Sequence, residues 1–325
     1  MDLASFTEKK DSCDFTKVAE NVWKLVVRFP FGMREVNCYL FKGEKGYTIV
    51  DTGDCHETAK ETWNKVLASV FPIEKIVLTH SHPDHLGLAK WLKEKYSVPV
   101  FMSDLSFQAM QETKARFAAS HDKYEAVLQK HGVPALPKRN FAREIPKYDF
   151  EPDGLFKNGE QVLLGDDPYE AIRTPGHAPD HFCFYNRKEQ ILVLGDHVLK
   201  DLSPIVAAWS ENDKNPLGDY FDSLDRIKDL PAKVALPGHG GLIGDVKARA
   251  ESIRMRHEHR LRQMTMSLQE GEKTAAQICR DTYGDVALKQ FFAPFMATIT
   301  RCLYLESAGK ISSRLENGKI LYFLP

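Results

Sequence analysis

Between Leu78 and Leu86 the chain reads Leu-Thr-His-Ser-His-Pro-Asp-His-Leu, directly behind the apolar run 75–78 and directly ahead of a helical pattern over 86–96. Three imidazoles (His80, His82, His85) and the carboxylate of Asp84 therefore emerge together from one strand end. Crowded into a strand-end cleft they are poorly compensated unless a cation sits among them. Such a mixture of nitrogen and oxygen donors suits zinc or another borderline divalent ion. A solvated polar loop is the bland alternative. Three further segments repeat the arrangement: Arg173-Thr-Pro-Gly-His177, Leu192-Val-Leu-Gly-Asp196-His197 and Ala235-Leu-Pro-Gly-His239. In each, a β-rich run passes into a turn with glycine, where the backbone can bend sharply, and then presents one His or Asp. Singly, each is an ordinary turn residue. Together the four segments make coincidence improbable.

The surrounding pattern is that of an α/β domain, with short β-rich runs at 22–29, 37–41, 47–50, 75–78, 98–102, 171–174, 182–185, 191–194 and 234–236 separated by turns and helical stretches. Strand patterning stops over about 104–150. A helical insert there carries Phe107, Met110, Phe117, Tyr124, Val127 and Leu128 and reads equally as a surface helical pair or as a substrate wall. After Gly241 the composition changes. A helix over 246–270 has an apolar stripe at Ala250, Ile253, Leu261, Met264 and Leu268, with His257 in the same stripe and read as a packed histidine. Helical patterns over 274–283 and 287–307 follow, then two β-rich runs flanking Glu316-Asn317-Gly318, a strong hairpin signal because Asn and Gly tolerate positive φ. Helices followed by a hairpin is the order of a winged-helix-like module. The expected division is 1–244 for the main domain and 245–325 for a small C-terminal one.

Lys and Arg number 44 against 45 Asp and Glu, so no global field draws the molecule to nucleic acid or an anionic membrane. Residues 1–15 lack the apolar run of a signal peptide, and no stretch approaches a membrane span of roughly 20 apolar residues. The six cysteines (Cys13, Cys38, Cys55, Cys183, Cys279, Cys302) are scattered without zinc-knuckle spacing or disulfide density. A cytoplasmic protein without a membrane partner is the expectation; a homodimer stays open.

The segments Asp51-Thr-Gly53, His80 to His85, His177, Asp196 and His239 resemble, in order, the five motifs of the metallo-β-lactamase superfamily, over most of residues 20–243. The resemblance implies a four-layer αββα sandwich with two divalent metal ions, zinc by expectation and iron or manganese as alternatives, at one edge between the sheets. His80, His82 and His177 would bind the first ion, Asp84, His85 and His239 the second, with Asp196 bridging them and Asp51 a buried acceptor that orients ligand imidazoles. True β-lactamases lack the aspartate that Asp196 matches, and flavodiiron proteins have glutamate where this chain has His82. Gly195-Asp-His-Val, Asn215-Pro-Leu-Gly-Asp-Tyr-Phe, Pro237-Gly-His-Gly and the winged-helix-like tail are similar to a group that includes glyoxalase II, a β-lactamase-like endoribonuclease and several thioesterases.

That implies a hydrolase in which a hydroxide bridging the metals attacks the substrate and Asp84, the catalytic candidate, aims it. Ester or thioester hydrolysis of a small acyl substrate is the leading expectation. An endoribonuclease or phosphodiesterase is the second, with nucleic acid held by the basic helix 247–262 (Lys247, Arg249, Arg254, Arg256, Arg260, Arg262) unless those charges pair with neighbouring acids. A lactonase is a weaker alternative, because the tyrosine usual after the bridging aspartate is missing at His197, Val198 and Leu199. Sulfur dioxygenation at a single iron is another. A nucleic-acid-binding protein with a vestigial metal site is disfavoured by the complete donor set.

Overall fold

Period-two alternation along the strands sorts apolar side chains to opposite faces and thereby fixes the layers. The computed structural model describes residues 14–70, 72–119, 123–133, 143–208, 213–285 and 288–325. Cys13, most of the 1–15 segment, Ala287 and the side chains of Tyr124 and Phe291 lie outside them. One sheet runs in sequence order: β1 Phe15–Ala19, β2 Val22–Arg28, β3 Glu35–Lys42, β4 Tyr47–Val50, β5 Ile73–Val77, β6 Val100–Ser103 and β7 Gly154–Phe156. It is antiparallel up to β4 and parallel beyond. The second sheet contains β8 Gln161–Leu164, β9 Asp167–Arg173, β10 Phe182–Asn186, β11 Ile191–Gly195 and β12 Val234–Pro237, in the order β12-β11-β10-β9-β8.

Along β3, Tyr39 and Phe41 face the second sheet, while Val36, Cys38 and Leu40 face outward beneath helices. Along β11, Ile191 and Val193 face the first sheet and Leu192 and Leu194 the opposite side. The helices α1 Glu57–Val70 and α3 Ala89–Tyr96 cover the first sheet with Trp63, Val66, Leu67 and Leu92. Over the second sheet, α6 Pro216–Ile227 supplies Leu217, Tyr220 and Leu224. The result is the expected αββα sandwich. Short α2, Pro83–Leu86, lies between β5 and α3.

The missed strands β1, β7 and β8 are all sheet edges. Edge strands bury little; β8 exposes Gln161 and Leu163, so it carries scant alternation to read. Of the 104–150 insert, α4 Asp104–Ala118 is capped by Ser103 accepting from the Ser106 amide, and Met110, Tyr148 and Phe150 join the core of the first sheet. Leu128 of α5 Lys123–Lys130 joins the core on the far side of the second sheet. That same core takes the apolar stripe of α7 Val246–Ser267 (Ala250, Ile253, Leu261, Met264), then Ala275 and Ile278 of α8 Ala275–Tyr283, and Phe295 and Ile299 of α9 Leu288–Ser307. Phe292 and Leu303 pack partly buried against it. Thr274 caps α8 in a reciprocal capping box with Gln277. The closing hairpin, β13 Ser312–Glu316 and β14 Lys319–Phe323, turns on Asn317 and Gly318, both at positive φ.

Trp63 ties the packing to the motif loop, because its indole nitrogen donates to the Thr52 carbonyl at 2.6 Å within the helix-to-sheet core. Trp63→Ala should lower the unfolding free energy by about 3–5 kcal/mol, measured by urea denaturation; a loss well under 1 kcal/mol would mean that this core closes over the cavity.

Candidate metal centre

Each predicted donor follows the end of a strand of one sheet or the other, Asp84 and His85 within short α2. β4 ends at Val50, and Asp51 follows at φ 60°, an unusual backbone for a residue with a β-carbon. That bend turns its carboxylate under the β5 loop. Asp51 Oδ1 accepts from the Thr79 amide at 2.9 Å, and Oδ2 accepts from the Thr79 hydroxyl at 2.8 Å and from His85 Nδ1 at 2.7 Å. With its proton given to Asp51, the Thr79 hydroxyl oxygen accepts from His80 Nδ1, 2.9 Å away. One carboxylate thereby fixes two imidazoles, His85 directly and His80 through Thr79.

The other two ring anchors are backbone carbonyls, which can only accept. His177 Nδ1 donates to Ile205 O at 2.8 Å, and His239 Nδ1 donates to Glu35 O at 2.5 Å. All four rings therefore turn Nε2 as a potential lone-pair donor away from their anchors. His82, the residue ahead of α2, brings Nδ1 within 2.9 Å of His177 Nε2. Asp196 Oδ2 lies 3.4 Å from His85 Nε2, 3.5 Å from His177 Nε2 and 3.3 Å from His239 Nε2; Asp84 Oδ2 is 3.4 Å from His239 Nε2.

These side chains form three overlapping groups, each with donor atoms within 4.8 Å of one another: His80, His82 and His177; His80, His85 and Asp196; Asp84, His85 and His239. His80 Nε2, His85 Nε2, His239 Nε2 and Asp196 Oδ1 are buried with no hydrogen-bond partner among the described residues. Buried polar atoms left in that state signal a missing partner, and a nitrogen-rich set with carboxylates fits a divalent cation. All seven predicted donors are thus brought to one cleft.

The electrostatics split the cleft in two. Burial, reinforced by the neighbouring imidazoles, pushes His80 well below the usual histidine range, and burial beside His177 takes His82 down to about 3. At the other end burial opposes charge, but Asp196, Asp51 and Asp84 outweigh it at His85, and Asp196 and Asp84 raise His239 to about 10.

Sequence reasoning missed the clamp that closes the cleft. Asn37 of β3 donates from Nδ2 to Pro237 O and to Gly240 O, both at 2.9 Å, and its amide donates to Gly238 O at 2.7 Å. Tyr39 adds a hydroxyl bond to Pro237 O at 2.7 Å. The first sheet thus grips the loop of the second that carries His239. Asp180 and His181 were missed too: Asp180 accepts from the Ser81 amide at 2.8 Å, and His181 Nε2 accepts from the Asp196 amide at 3.0 Å. Their signal was present, since they follow His177 by three and four residues at the entry to β10. Lys147, in the insert, is buried between Asp54 at 2.6 Å and Glu144 at 2.7 Å, tying the insert to the loop after Asp51.

The profile of the Metallo-beta-lactamase superfamily matches residues 32–239. A probable metallo-hydrolase of Bacillus subtilis is 28% identical over 319 residues, covering 94% of this chain and 98% of its own. An atrochrysone carboxyl ACP thioesterase of Aspergillus fumigatus is 24% identical over 317 residues, 90% of this chain and 82% of that one. Among solved structures, a metallo-beta-lactamase family protein from Thermus thermophilus is similar with a TM-score of 0.80 and 29% identity, covering 95% of this chain and 100% of that one.

Close approach at Gly238 gives a test of the geometry. A β-carbon there would meet Asp196 Oδ1 at 2.3 Å and His85 Cε1 at 2.9 Å. Gly238→Ala should cost about 1–3 kcal/mol of stability through this overpacking, seen as a lower thermal midpoint than wild type; an unchanged midpoint would mean that the cleft is looser than these contacts imply.

Proposed function

The chain belongs to the metallo-β-lactamase superfamily, within which it is a metal-dependent hydrolase, and we propose that it uses two divalent ions to hydrolyse an ester or thioester bond of a small acyl substrate. His80, His82 and His177 would hold one ion, Asp84, His85 and His239 the other, with Asp196 between them. The observation that carries this reading is the chaining of donor groups, the middle one sharing His80 with one end and His85 with the other. When bound, the ions supply Lewis acidity and lower the pKa of water toward neutrality. Zinc suits the donor set, and iron or manganese are tolerated by it.

The chain's own residues do the rest. Asp84 is half-buried, with Oδ2 3.4 Å from His239 Nε2. Burial opposes its charge, yet His85 and His239 hold its carboxyl well below the usual carboxylate range. It stays an acceptor at neutral pH, able to take a hydrogen bond from a water and aim its lone pair at a carbonyl carbon. Asp51 keeps His80 and His85 from rotating, and the Asn37 clamp does the same for the His239 loop. Exposed apolar side chains lie in the two segments that anchor His239 and His177. Phe31 is 45% and Met33 42% exposed on the turn leading to Glu35, which anchors His239. Ile205, which anchors His177, is 40% exposed. Large apolar groups in solvent beside a charged cleft favour an acyl chain over a polyanion, in line with the name of the Aspergillus thioesterase. Among the described residues no helix is long and apolar enough to cross a membrane.

Asp196→Ala or His80→Ala should remove bound metal and turnover together, read by metal analysis beside a panel of acyl thioesters, lactones, phosphodiesters and RNA; full activity in metal-stripped protein, or RNA cleaved faster than any thioester, would overturn the proposal. The pH dependence of loading follows from the split cleft. Protons on His85 and His239 compete with metal, whereas His80 and His82 are already neutral. Affinity at the carboxylate end should therefore climb with pH, and dialysis against limiting zinc should take occupancy from about one toward about two ions per chain as pH rises toward about 10, where His239 gives up its proton.

A further inference from the structure

A groove of about 580 Å³ lies between α7 and α9, and its charge is one-sided. Arg256, His257, His259 and Arg260 line it from α7, Arg301 from α9 and Ser203 from the segment that leaves β11; among the described residues no carboxylate lines it. The expectation that acids neutralise the basic helix holds only in part. Lys247 pairs with Asp229 and Arg254 with Asp225. Arg256, Arg260 and Arg301 make no ion pair with a carboxylate among the described residues.

Arg301 is the informative member, because it is only 7% exposed. Its Nη1 donates to the Tyr283 hydroxyl at 2.8 Å and its Nη2 to His257 Nδ1 at 3.2 Å. A guanidinium can only donate, so the His257 proton sits on Nε2. That Nε2 and Arg301 Nε are both buried donors with no acceptor among the described residues. A buried cation that meets only neutral partners is costly, and an anion in the groove is the compensation that the geometry lacks.

The groove and the metal centre share one chain segment. Ser203 lies two residues from Ile205, whose carbonyl anchors His177, a span of at most about 7 Å of chain. The same segment is held from α7 by Arg249, which donates to Leu199 O at 2.6 Å and Leu202 O at 2.7 Å. A ligand that placed its anion among the arginines and its reactive carbonyl at the centre would have to be elongated and run along this segment.

We propose that the groove binds the phosphate end of the thiol arm carrying the acyl group, so that the substrate is a thioester of a phosphorylated pantetheine arm. This rests on the acyl-hydrolase reading and names its substrate class. The arm exists free, as in coenzyme A, and attached to a carrier protein; the chemistry recognised is the same.

The test compares metal-loaded wild type, Arg256→Gln and Arg260→Gln on one acyl group carried by pantetheine, by 4′-phosphopantetheine, by coenzyme A and by a phosphopantetheinylated carrier protein. In wild type the terminal phosphate should lower KM by about tenfold, the worth of one or two charge-assisted hydrogen bonds, and in either variant that ratio should collapse toward one. The preference between coenzyme A and carrier protein identifies the source of the arm. Calorimetric titration with 4′-phosphopantetheine and with pantetheine reads the groove without turnover. Arginine-dependent binding of the phosphorylated arm alone, with no thioester cleaved, keeps the groove and removes the acyl-hydrolase reading. Thioesters cleaved with the same KM with and without phosphate overturn the groove and keep that reading. A short RNA that displaces phosphopantetheine and is itself cleaved overturns both.

Discussion

The cleft depends on anchoring the far side of four imidazoles, those of His80, His85, His177 and His239. A ring free to rotate about its side-chain bonds loses its aim, and several such rings with two carboxylates in a dry cleft would separate or take up protons. Here each anchor is an acceptor that cannot reverse its role: the Asp51 carboxylate for His85, the carbonyl of Ile205 for His177 and the carbonyl of Glu35 for His239. His80 is the indirect case, held through a hydroxyl whose own proton is committed to Asp51. The inward direction of the Nε2 atoms is thus a property of the backbone around the cleft, and the sandwich is what brings those carbonyls to one edge.

The donors themselves were legible in the sequence because strand ends are local. A strand end, a glycine turn and a polar residue within five positions can be recognised at 173–177, 192–196 and 235–239 without knowing what lies beside them. Their anchors were not legible, because Ile205 and Glu35 act through backbone oxygen and any residue type supplies one. The Asn37 clamp was hidden for another reason. It joins positions 200 and 203 residues apart in the chain, and a lone Asn in a β-rich run has no periodicity to betray it. Lys147 was invisible among the many charges of the insert, although its burial between Asp54 and Glu144 ties that insert to the loop after Asp51.

The fold divides along similar lines. Central strands, α1 and the stripes of α7 and α9 bury many side chains at fixed spacing, and their pattern survives in the sequence. Edge strands answer mainly to one neighbour and to solvent, so β1, β7 and β8 left little trace. The apolar core of the second sheet's outer side extends into the C-terminal helices. Leu192 and Leu194 of the second sheet share one apolar cluster with Ile253 of α7, Ile278 of α8 and Phe295 of α9. The change of composition after Gly241 marks a change of secondary structure within that cluster, and its shared burial holds α7 against the sheet whose strands end at Asp196 and His239.

α7 therefore has two faces with separate duties. Its apolar stripe is buried and fixes the helix as part of the scaffold, which gives its polar face a defined position relative to the cleft. On that face the charges are not equivalent. Lys247 and Arg254 spend their charge on acids at the end of α6 and just beyond it, while Arg249 holds the carbonyls of Leu199 and Leu202 and so steadies the segment from which Ile205 reaches His177. The next turns of the helix, at Arg256 and Arg260, line the groove with no ion-paired acid among the described residues, Arg260 donating instead to the neutral Gln263 side chain and the Thr282 carbonyl. A helix whose charge served solubility alone would have no reason to leave a nearly buried Arg301 beside those two with only a phenol and an imidazole to meet it. The same element that braces the His177 anchor thus presents unspent positive charge a short stretch of chain away, and a substrate spanning both would bind against a single rigid body.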